Sequence, residues 1–198
     1  MTAPQIVLAS ASPRRRELLA RLGLRFTVRA SEIDETPHPG EPPADYVLRL
    51  AREKAAAGAS RDGAEELVLA ADTTVVVDGE ILGKPLDEED ARRMLRLLAG
   101  REHEVLTGVA LRGGQQEAAL LETTSVRMAA LTDDEIAWYA ATSEPHDKAG
   151  AYAAQGLGGL FIEAVRGNFS NVVGLPVPVV YKLFAALGYD LKTLIPKA

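Results

Sequence analysis

Apolar residues along the chain follow two patterns, short runs of strand length and positions at helical spacing. The runs predict strands at Gln5–Leu8, Phe26–Ala30, Leu67–Ala71, Glu104–Leu111, Leu120–Met128 and Phe161–Val165, with a hairpin over Thr73–Leu82. The helical spacing predicts helices at Glu17–Leu22, Ala44–Ala57, Glu88–Ala99, Thr132–Ala141 and Pro176–Leu187. Because helices are interspersed with strands and several strands form antiparallel pairs, the pattern predicts an α/β fold with a mixed sheet.

Residues suited to caps and turns mark the boundaries of these elements. Helix N-caps are predicted at Ser12, Asp87 and Thr132. Asp78-Gly79 predicts the turn of the hairpin. Ser31–Pro43 is acidic and rich in proline, which predicts a loop. Asp147–Gly159 is rich in glycine and alanine, and its pattern assigns it to no regular element.

The composition limits the classes of function. A length of 198 residues suits one domain or two small lobes, and a net charge of −6 argues against a nucleic-acid or anionic-membrane binder. The chain has no cysteine, which excludes disulfides and thiolate chemistry, and its three histidines are too far apart for a typical zinc motif. No apolar run reaches the length of a membrane span, so the expected location is the cytoplasm.

The segment Ala9–Arg16 places a basic run at a strand-to-helix turn. Ser12 and Pro13 suit the cap and the first helical residue, so Arg14–Arg16 fall in the first turn, where the helix dipole disfavours cations. Backbone N–H groups, hydroxyls and guanidinium groups together predict a phosphate site. A solvated basic face is the alternative, because only one or two of three successive arginines share a helix face.

Asp72 follows the apolar run Leu67–Ala71, so it is predicted to lie at the end of a buried strand. A buried carboxylate needs a counter-charge, hydrogen bonds or a metal ion, and ligands of open α/β sheets bind at the carboxyl ends of strands. Asp72 is therefore a candidate functional residue. A structural role, in which it accepts backbone hydrogen bonds beside Thr73 and Thr74, fits the pattern equally well.

Several other polar residues are candidate ligands. Glu32, Asp34 and Glu35 bring hard oxygen ligands into one loop, which suits Mg²⁺ or Mn²⁺ bridged to phosphate, although a solvated acidic loop is the simpler interpretation. Lys54 on the second helix and Lys84 in a glycine–proline turn are candidate phosphate partners.

The small residues of Asp147–Gly156 would let a ligand approach the backbone closely, and Gln155 could contact the edge of a base, although a packed loop with a surface glutamine is the alternative. The sequence contains neither of the common glycine-rich phosphate motifs, G-x-G-x-x-G and G-x-x-x-x-G-K-[ST].

Taken in order and spacing, these segments resemble the Maf proteins, called septum formation inhibitors and, more recently, nucleoside triphosphate pyrophosphatases. The resemblance extends from about Ile6 to Gly188. The matching motifs are Leu8–Arg15, Ile33–Glu35, Arg52–Ala55, Ala71–Thr73, Gly83–Pro85, Thr107–Val109, Asp147–Gly150 and Gln155-Gly156. The resemblance implies one bilobed domain over residues 1–198, of Maf/ITPase-like fold, with a mixed twisted sheet that contains antiparallel strands, two lobes around a central cleft, and a homodimer.

The resemblance also implies roles for individual residues. Asp72 matches the proton acceptor of the family. Arg14, Thr73 and Gln155 match positions that set substrate specificity, and all three favour the branch that acts on dTTP and UTP. The remaining matches at the nucleotide site are Ser10, Arg15, Glu35, Lys54 and Lys84.

The implied reaction is hydrolysis of a nucleoside triphosphate between the α and β phosphates, with Mg²⁺ or Mn²⁺ held by Glu35 and Asp72. Catalysis of such reactions consists mainly of positioning and charge stabilisation. Two alternatives stay open. One is a pyrophosphatase for 7-methyl-GTP or another modified nucleotide, and the other is a nucleotide-binding regulator of septum formation that does not need Asp72 or a metal.

Overall fold

The computed structural model describes residues 4–60 and 66–196. The strands are β1 (Gln5–Leu8), β2 (Phe26–Val28), β3 (Glu66–Val77), β4 (Glu80–Leu82), β5 (Glu102–Gly113), β6 (Gln116–Met128) and β7 (Ile162–Arg166). The α-helices are α1 (Pro13–Arg21), α2 (Pro43–Ala57), α3 (Glu88–Leu98), α4 (Asp133–Ala140), α5 (Phe169–Val173), α6 (Val177–Ala186) and α7 (Leu191–Leu194).

The strands of the described residues form one sheet in the order β2-β1-β3-β5-β6-β7, with β4 paired to β3. β1 pairs in parallel with β2 and β3, whereas the β3–β4 and β6–β7 pairs are antiparallel. The predicted α/β fold with a mixed sheet is therefore confirmed.

The chain divides into two compact units, each with its own apolar core. The first unit contains the described residues up to Asp72, Thr107–Glu122 and the described residues from Gly174 onward. Its core lies around β1, the first half of β3 and α6, where Leu8, Leu69 and Phe184 are fully buried. The second unit contains Thr73–Leu106 and Thr123–Val173. Tyr139 and the apolar face of α3 lie in the core of this unit.

Local signals placed three helix starts correctly. Ser12 caps α1 by accepting a hydrogen bond from the backbone N–H of Arg15, and Asp87 caps α3 by accepting one from Asp90. Thr132 opens α4 with a complete capping box. Each cap satisfies backbone N–H groups that the helix itself leaves without acceptors, so the signal depends only on neighbours in sequence.

The sequence prediction was wrong about the strand that carries Asp72. Instead of a strand that ends at Ala71 and a separate hairpin, β3 runs without a break to Val77, so Asp72 lies in the middle of a strand. No glycine or proline interrupts the segment, and Thr73–Val77 are β-branched residues that favour extended backbone. The predicted hairpin turn at Asp78-Gly79 is confirmed, with positive φ angles at both residues.

Other differences are shifts of boundaries and short elements. The segment that had no predicted structure forms short 3₁₀ helices at Pro145–Asp147, Ala149–Ala151 and Leu157–Phe161. The short helices α5 and α7 were not predicted, because helices of four or five residues show no clear periodicity. No helix among residues 4–60 and 66–196 combines the length and the apolar character that a membrane span requires.

A buried histidine lies on β5. The Nε2 atom of His103 is 2.7 Å from the hydroxyl of Tyr152, and the side chain is 2% exposed. Within the described residues its Nδ1 atom has no hydrogen-bond partner. Burial therefore lowers the pKa of His103 to about 4, although the nearby Glu102 opposes this shift.

Acidification is expected to destabilise the protein through His103. The unfolded chain takes up a proton near pH 6.5, whereas folded His103 stays neutral until about pH 4, so stability falls as the pH drops through this range. Between pH 7 and pH 5 the loss attributable to this group is about 2 kcal/mol. Urea unfolding should show this loss for the wild type and not for His103→Gln, while the exposed control His146→Gln retains it. Equal pH dependence in the wild type and His103→Gln would contradict the assignment.

Candidate active site

The loop after β1 begins the site in the first unit. β1 runs parallel to β3 with Leu8 paired to Leu69, so the residues after Leu8 lie beside the segment that leads to Asp72. Ser10 is buried, and its hydroxyl accepts hydrogen bonds from the backbone N–H of Ser12 and from the guanidinium of Arg15. The predicted strand, cap and helix are thus confirmed, and they place the first turn of α1 beside β3.

The three arginines of this turn have different environments. Arg15 is partly buried, and its Nε donates a 2.8 Å hydrogen bond to the carbonyl oxygen of Gly174. Burial lowers the pKa of Arg15 and Arg14 acts in the same direction, whereas the charges of Asp72 and Glu35 oppose this shift. Arg15 therefore lies within electrostatic range of both carboxylates. Arg14 is partly exposed and Arg16 is exposed, so the three successive side chains differ in their exposure to solvent.

Lys54 joins two of the predicted site residues. Its Nζ atom lies 2.6 Å from Oδ1 of Asp72 and 2.7 Å from Oε1 of Glu35. Lys54 and Asp72 are both less than a tenth exposed, while the Glu35 side chain is half exposed. Two carboxylates on one ammonium offset the cost of burying these charges. The three residues predicted from different segments, a loop, a helix and a strand, thus form one cluster.

The acidic loop before α2 is held in place by residues that the sequence analysis did not single out. Tyr46 on α2 donates a 2.9 Å hydrogen bond to the carbonyl oxygen of Glu35, and burial raises the pKa of Tyr46 to about 12, with Asp72 and Glu35 adding to the shift. Arg49 forms a bidentate pair with Glu41 at 2.7 and 2.8 Å and donates to the carbonyl oxygen of Thr36. Most of the segment is exposed, as expected of a solvated loop, but these hydrogen bonds and the ion pair tie it to α2.

The three acidic residues predicted as metal ligands are not equivalent. Glu35 reaches Lys54, whereas Asp34 accepts a hydrogen bond from the backbone N–H of Thr36 and Glu32 is exposed. Across residues 4–60 and 66–196, no group of three or more histidine, cysteine, aspartate or glutamate side chains is arranged to hold a metal ion. Glu35 and Asp72 nevertheless fit Mg²⁺ or Mn²⁺ chemically, because Mg²⁺ is commonly bound by one or two carboxylates, with substrate phosphates and water as the other ligands.

The remaining predicted site residues belong to the second unit. Thr73 follows Asp72 directly on β3 and is partly exposed. Lys84 is exposed in the turn after β4, and Gln155 is exposed between two 3₁₀ helices. Their predicted participation in the nucleotide site stays a prediction.

The geometry of the first unit indicates which chemistry the cluster of Glu35, Lys54 and Asp72 supports. A buried carboxylate held by an ammonium can accept a proton from a water molecule, provided that the water lies within hydrogen-bond reach. Arg14 and Arg15 add positive charge at the N-terminus of α1, where backbone N–H groups also favour anions. The arrangement suits the hydrolysis of a phosphorylated substrate.

The chain belongs to the Maf-like protein family, whose family model matches residues 5–187. It is 56% identical to a dTTP/UTP pyrophosphatase of Anaeromyxobacter dehalogenans over 96% of this chain and 97% of that protein. It is 50% identical to a dTTP/UTP pyrophosphatase of Shewanella oneidensis over 92% of this chain and 98% of that protein. A solved structure from Mycobacterium abscessus, described as a nucleoside-triphosphatase / dITP/XTP pyrophosphatase, aligns with 98% of this chain and 100% of that chain at 16% identity and a TM-score of 0.46.

Proposed function

We propose that this protein hydrolyses dTTP and UTP between the α and β phosphates, releasing the nucleoside monophosphate and pyrophosphate and so removing these nucleotides from the cellular pool. The structural observation that carries the proposal is the contact of Lys54 with both Asp72 and Glu35 beside the arginines of α1. The choice of substrate rests on two relatives, at 50 and 56% identity, that are named dTTP/UTP pyrophosphatases.

In the proposed reaction Asp72 is the proton acceptor. A water oxygen forms a bond to the α phosphorus, the bond from that phosphorus to the bridging oxygen breaks, and the proton of the water passes to the Asp72 carboxylate. Lys54 holds this carboxylate at 2.6 Å, which fixes its direction before the substrate arrives. Positioning of this kind removes part of the entropic barrier, because the base does not have to be ordered during the reaction.

The cations and the second carboxylate bind the polyphosphate. Arg14, Arg15, Lys54 and Lys84 neutralise its negative charge, and the forked guanidinium groups suit bidentate contact with phosphate oxygens. Glu35 and Asp72 would hold Mg²⁺ or Mn²⁺, which would supply further positive charge to the phosphate oxygens.

Recognition of the base is assigned to Arg14, Thr73 and Gln155, following the resemblance to the dTTP/UTP branch. We also propose that the protein is a homodimer and that it is located in the cytoplasm.

The proposal is tested by measuring pyrophosphate release from a panel of nucleoside triphosphates at varied Mg²⁺ and Mn²⁺. We expect dTTP and UTP to be the best substrates and EDTA to abolish release. Preference for 7-methyl-GTP in direct competition with dTTP would favour the other branch of the family. Nucleotide binding without pyrophosphate release at any metal concentration would instead favour a regulator of septum formation.

A further inference from the structure

Glu144, a residue outside the predicted site, holds the backbone that follows Gln155. Its Oε1 atom accepts a 2.8 Å hydrogen bond from the backbone N–H of Gly158, and its Oε2 atom accepts a 3.0 Å hydrogen bond from that of Leu157. Burial raises the pKa of Glu144, but these donors and Tyr139 lower it below the usual value, so the carboxylate is charged at neutral pH. One side chain thus binds two successive backbone groups just beyond the exposed glutamine.

Gly156 lies directly against this carboxylate. A Cβ atom built on Gly156 would come within 2.0 Å of Oε2 and 2.6 Å of Cδ of Glu144, which is closer than real atoms approach. The φ angle of Gly156 is −157°, an extended value that any residue can adopt, so the need for glycine here comes from space and not from backbone strain. The residue after Gln155 is therefore small because the Glu144 carboxylate occupies the adjoining space.

Tyr139 extends the same contacts to the other side of Gln155. Its hydroxyl donates a 2.8 Å hydrogen bond to Oε1 of Glu144 and accepts a 3.1 Å hydrogen bond from the backbone N–H of Ala153. Tyr139 is fully buried in the core of the second unit, so it provides a rigid support. The backbone is thus bound two residues before Gln155 and again two and three residues after it, by a single connected pair of side chains.

These contacts order the segment and also satisfy a buried donor. Leu157 is exposed, so water could replace the carboxylate as the partner of its backbone N–H, whereas Gly158 is buried and its backbone N–H would lose its acceptor. A Gln155 amide offers both donors and an acceptor, and its selectivity for one base edge over another depends on where the backbone holds it. A mobile backbone would let the amide satisfy several bases.

We propose that Glu144, supported by Tyr139, is a positioning residue that sets base selectivity by fixing the backbone on both sides of Gln155. This inference rests on the proposed function, in which Gln155 contacts the base of a nucleoside triphosphate. Glu144 itself is not assigned any contact with the substrate.

The test compares kcat and KM for dTTP and dCTP in the wild type, Glu144→Ala, Glu144→Gln and Gly156→Ala. We expect Glu144→Ala to lower the preference for dTTP about tenfold, mainly through a higher KM for dTTP, since selectivity reflects oriented hydrogen bonding. Glu144→Gln keeps the shape but replaces one acceptor oxygen with an NH₂ group, so it should lose part of the preference. Glu163→Gln, at an exposed glutamate on β7, is the matched control and should match the wild type.

A double variant of Gly156 and Glu144 tests whether the two residues act through one contact or cause two independent losses of preference. Gly156→Ala should reproduce the loss of preference, because its new methyl group displaces the carboxylate. Gly156→Ala combined with Glu144→Ala should lose no more preference than either single variant, since both act on one contact, whereas independent effects would multiply. Circular dichroism and thermal unfolding check that each variant folds. If Gly156→Ala does not fold, the dTTP preference of Glu144→Gln tests the inference instead.

The outcomes distinguish this inference from the proposed function. A wild type without dTTP or UTP hydrolysis would overturn the proposed function. An active and selective wild type whose Glu144 variants keep their dTTP preference would overturn the inference alone. Glu144 variants with lower kcat on both nucleotides but unchanged preference would also overturn it, since that result indicates a general structural role.

Discussion

Replacing Asp72 with asparagine should lower kcat for dTTP hydrolysis by about 100-fold or more, the usual contribution of a general base. Asparagine has nearly the same shape, but its amide cannot take the proton from water. It also removes a negative charge that lies 2.6 Å from the Lys54 ammonium. The loss should therefore appear in kcat, while the arginines at the start of α1 continue to bind the triphosphate.

Steady-state pyrophosphate release measures this effect, and Asp78→Asn is its matched control. Asp78 lies in the hairpin turn after the same strand, where its side chain is 73% exposed and its φ angle is +51°. Asparagine tolerates this backbone conformation, so the control should fold and retain wild-type activity. Near-normal dTTP hydrolysis by a folded Asp72→Asn variant would show that another group accepts the proton.

Replacing Gly108 with alanine should destabilise the fold by about 3 kcal/mol or more, at the upper end of the cost of overpacking. A Cβ atom at this position of β5 would lie 2.2 Å from the carbonyl oxygen and 2.5 Å from the carbonyl carbon of Val47. These are backbone atoms of α2, so no side-chain rotation can relieve the clash and the helix itself must move. Because α2 carries Lys54, activity should fall together with stability.

Urea unfolding with activity measured in parallel tests this prediction. Gly83→Ala is the matched control for stability, since a Cβ atom there meets nothing within 4 Å and the backbone φ is not in the left-handed region. It should change the free energy of unfolding by less than about 0.5 kcal/mol. If Gly108→Ala proved as stable as Gly83→Ala, the close packing of α2 on β5 would be incorrect.

Most of the fold could be predicted because its signals are local. Ser12, Asp87 and Thr132 cap their helices through bonds to residues three positions ahead, and the apolar runs of β1 and β3 identify buried strands. The extent of β3 was not predicted, because the charged Asp72 interrupts the apolar run, although the β-branched residues Thr73–Val77 favour continued extended backbone.

Only part of the site could be predicted from the sequence. The motifs identified Glu35, Lys54 and Asp72 as separate candidates, and only the structure brings the three side chains together. Tyr46 and Arg49, which hold the acidic loop, gave no signal because tyrosine and arginine on an amphipathic helix are common. Glu144 was missed for a different reason, because its role depends on backbone groups of Leu157 and Gly158, which lie 13 and 14 positions further along the chain.

The sequence by itself determined most of the strands and the longer helices, the caps of three helices, and which residue types are available for phosphate chemistry. These properties depend on side-chain periodicity and on hydrogen bonds within about four residues. Only the tertiary structure decided that Lys54 meets Asp72, 18 positions away in sequence, and that Arg15 binds Gly174, 159 positions away. Such contacts require the chain to bring distant segments together, because burial of the apolar core, and not any local preference, places them side by side.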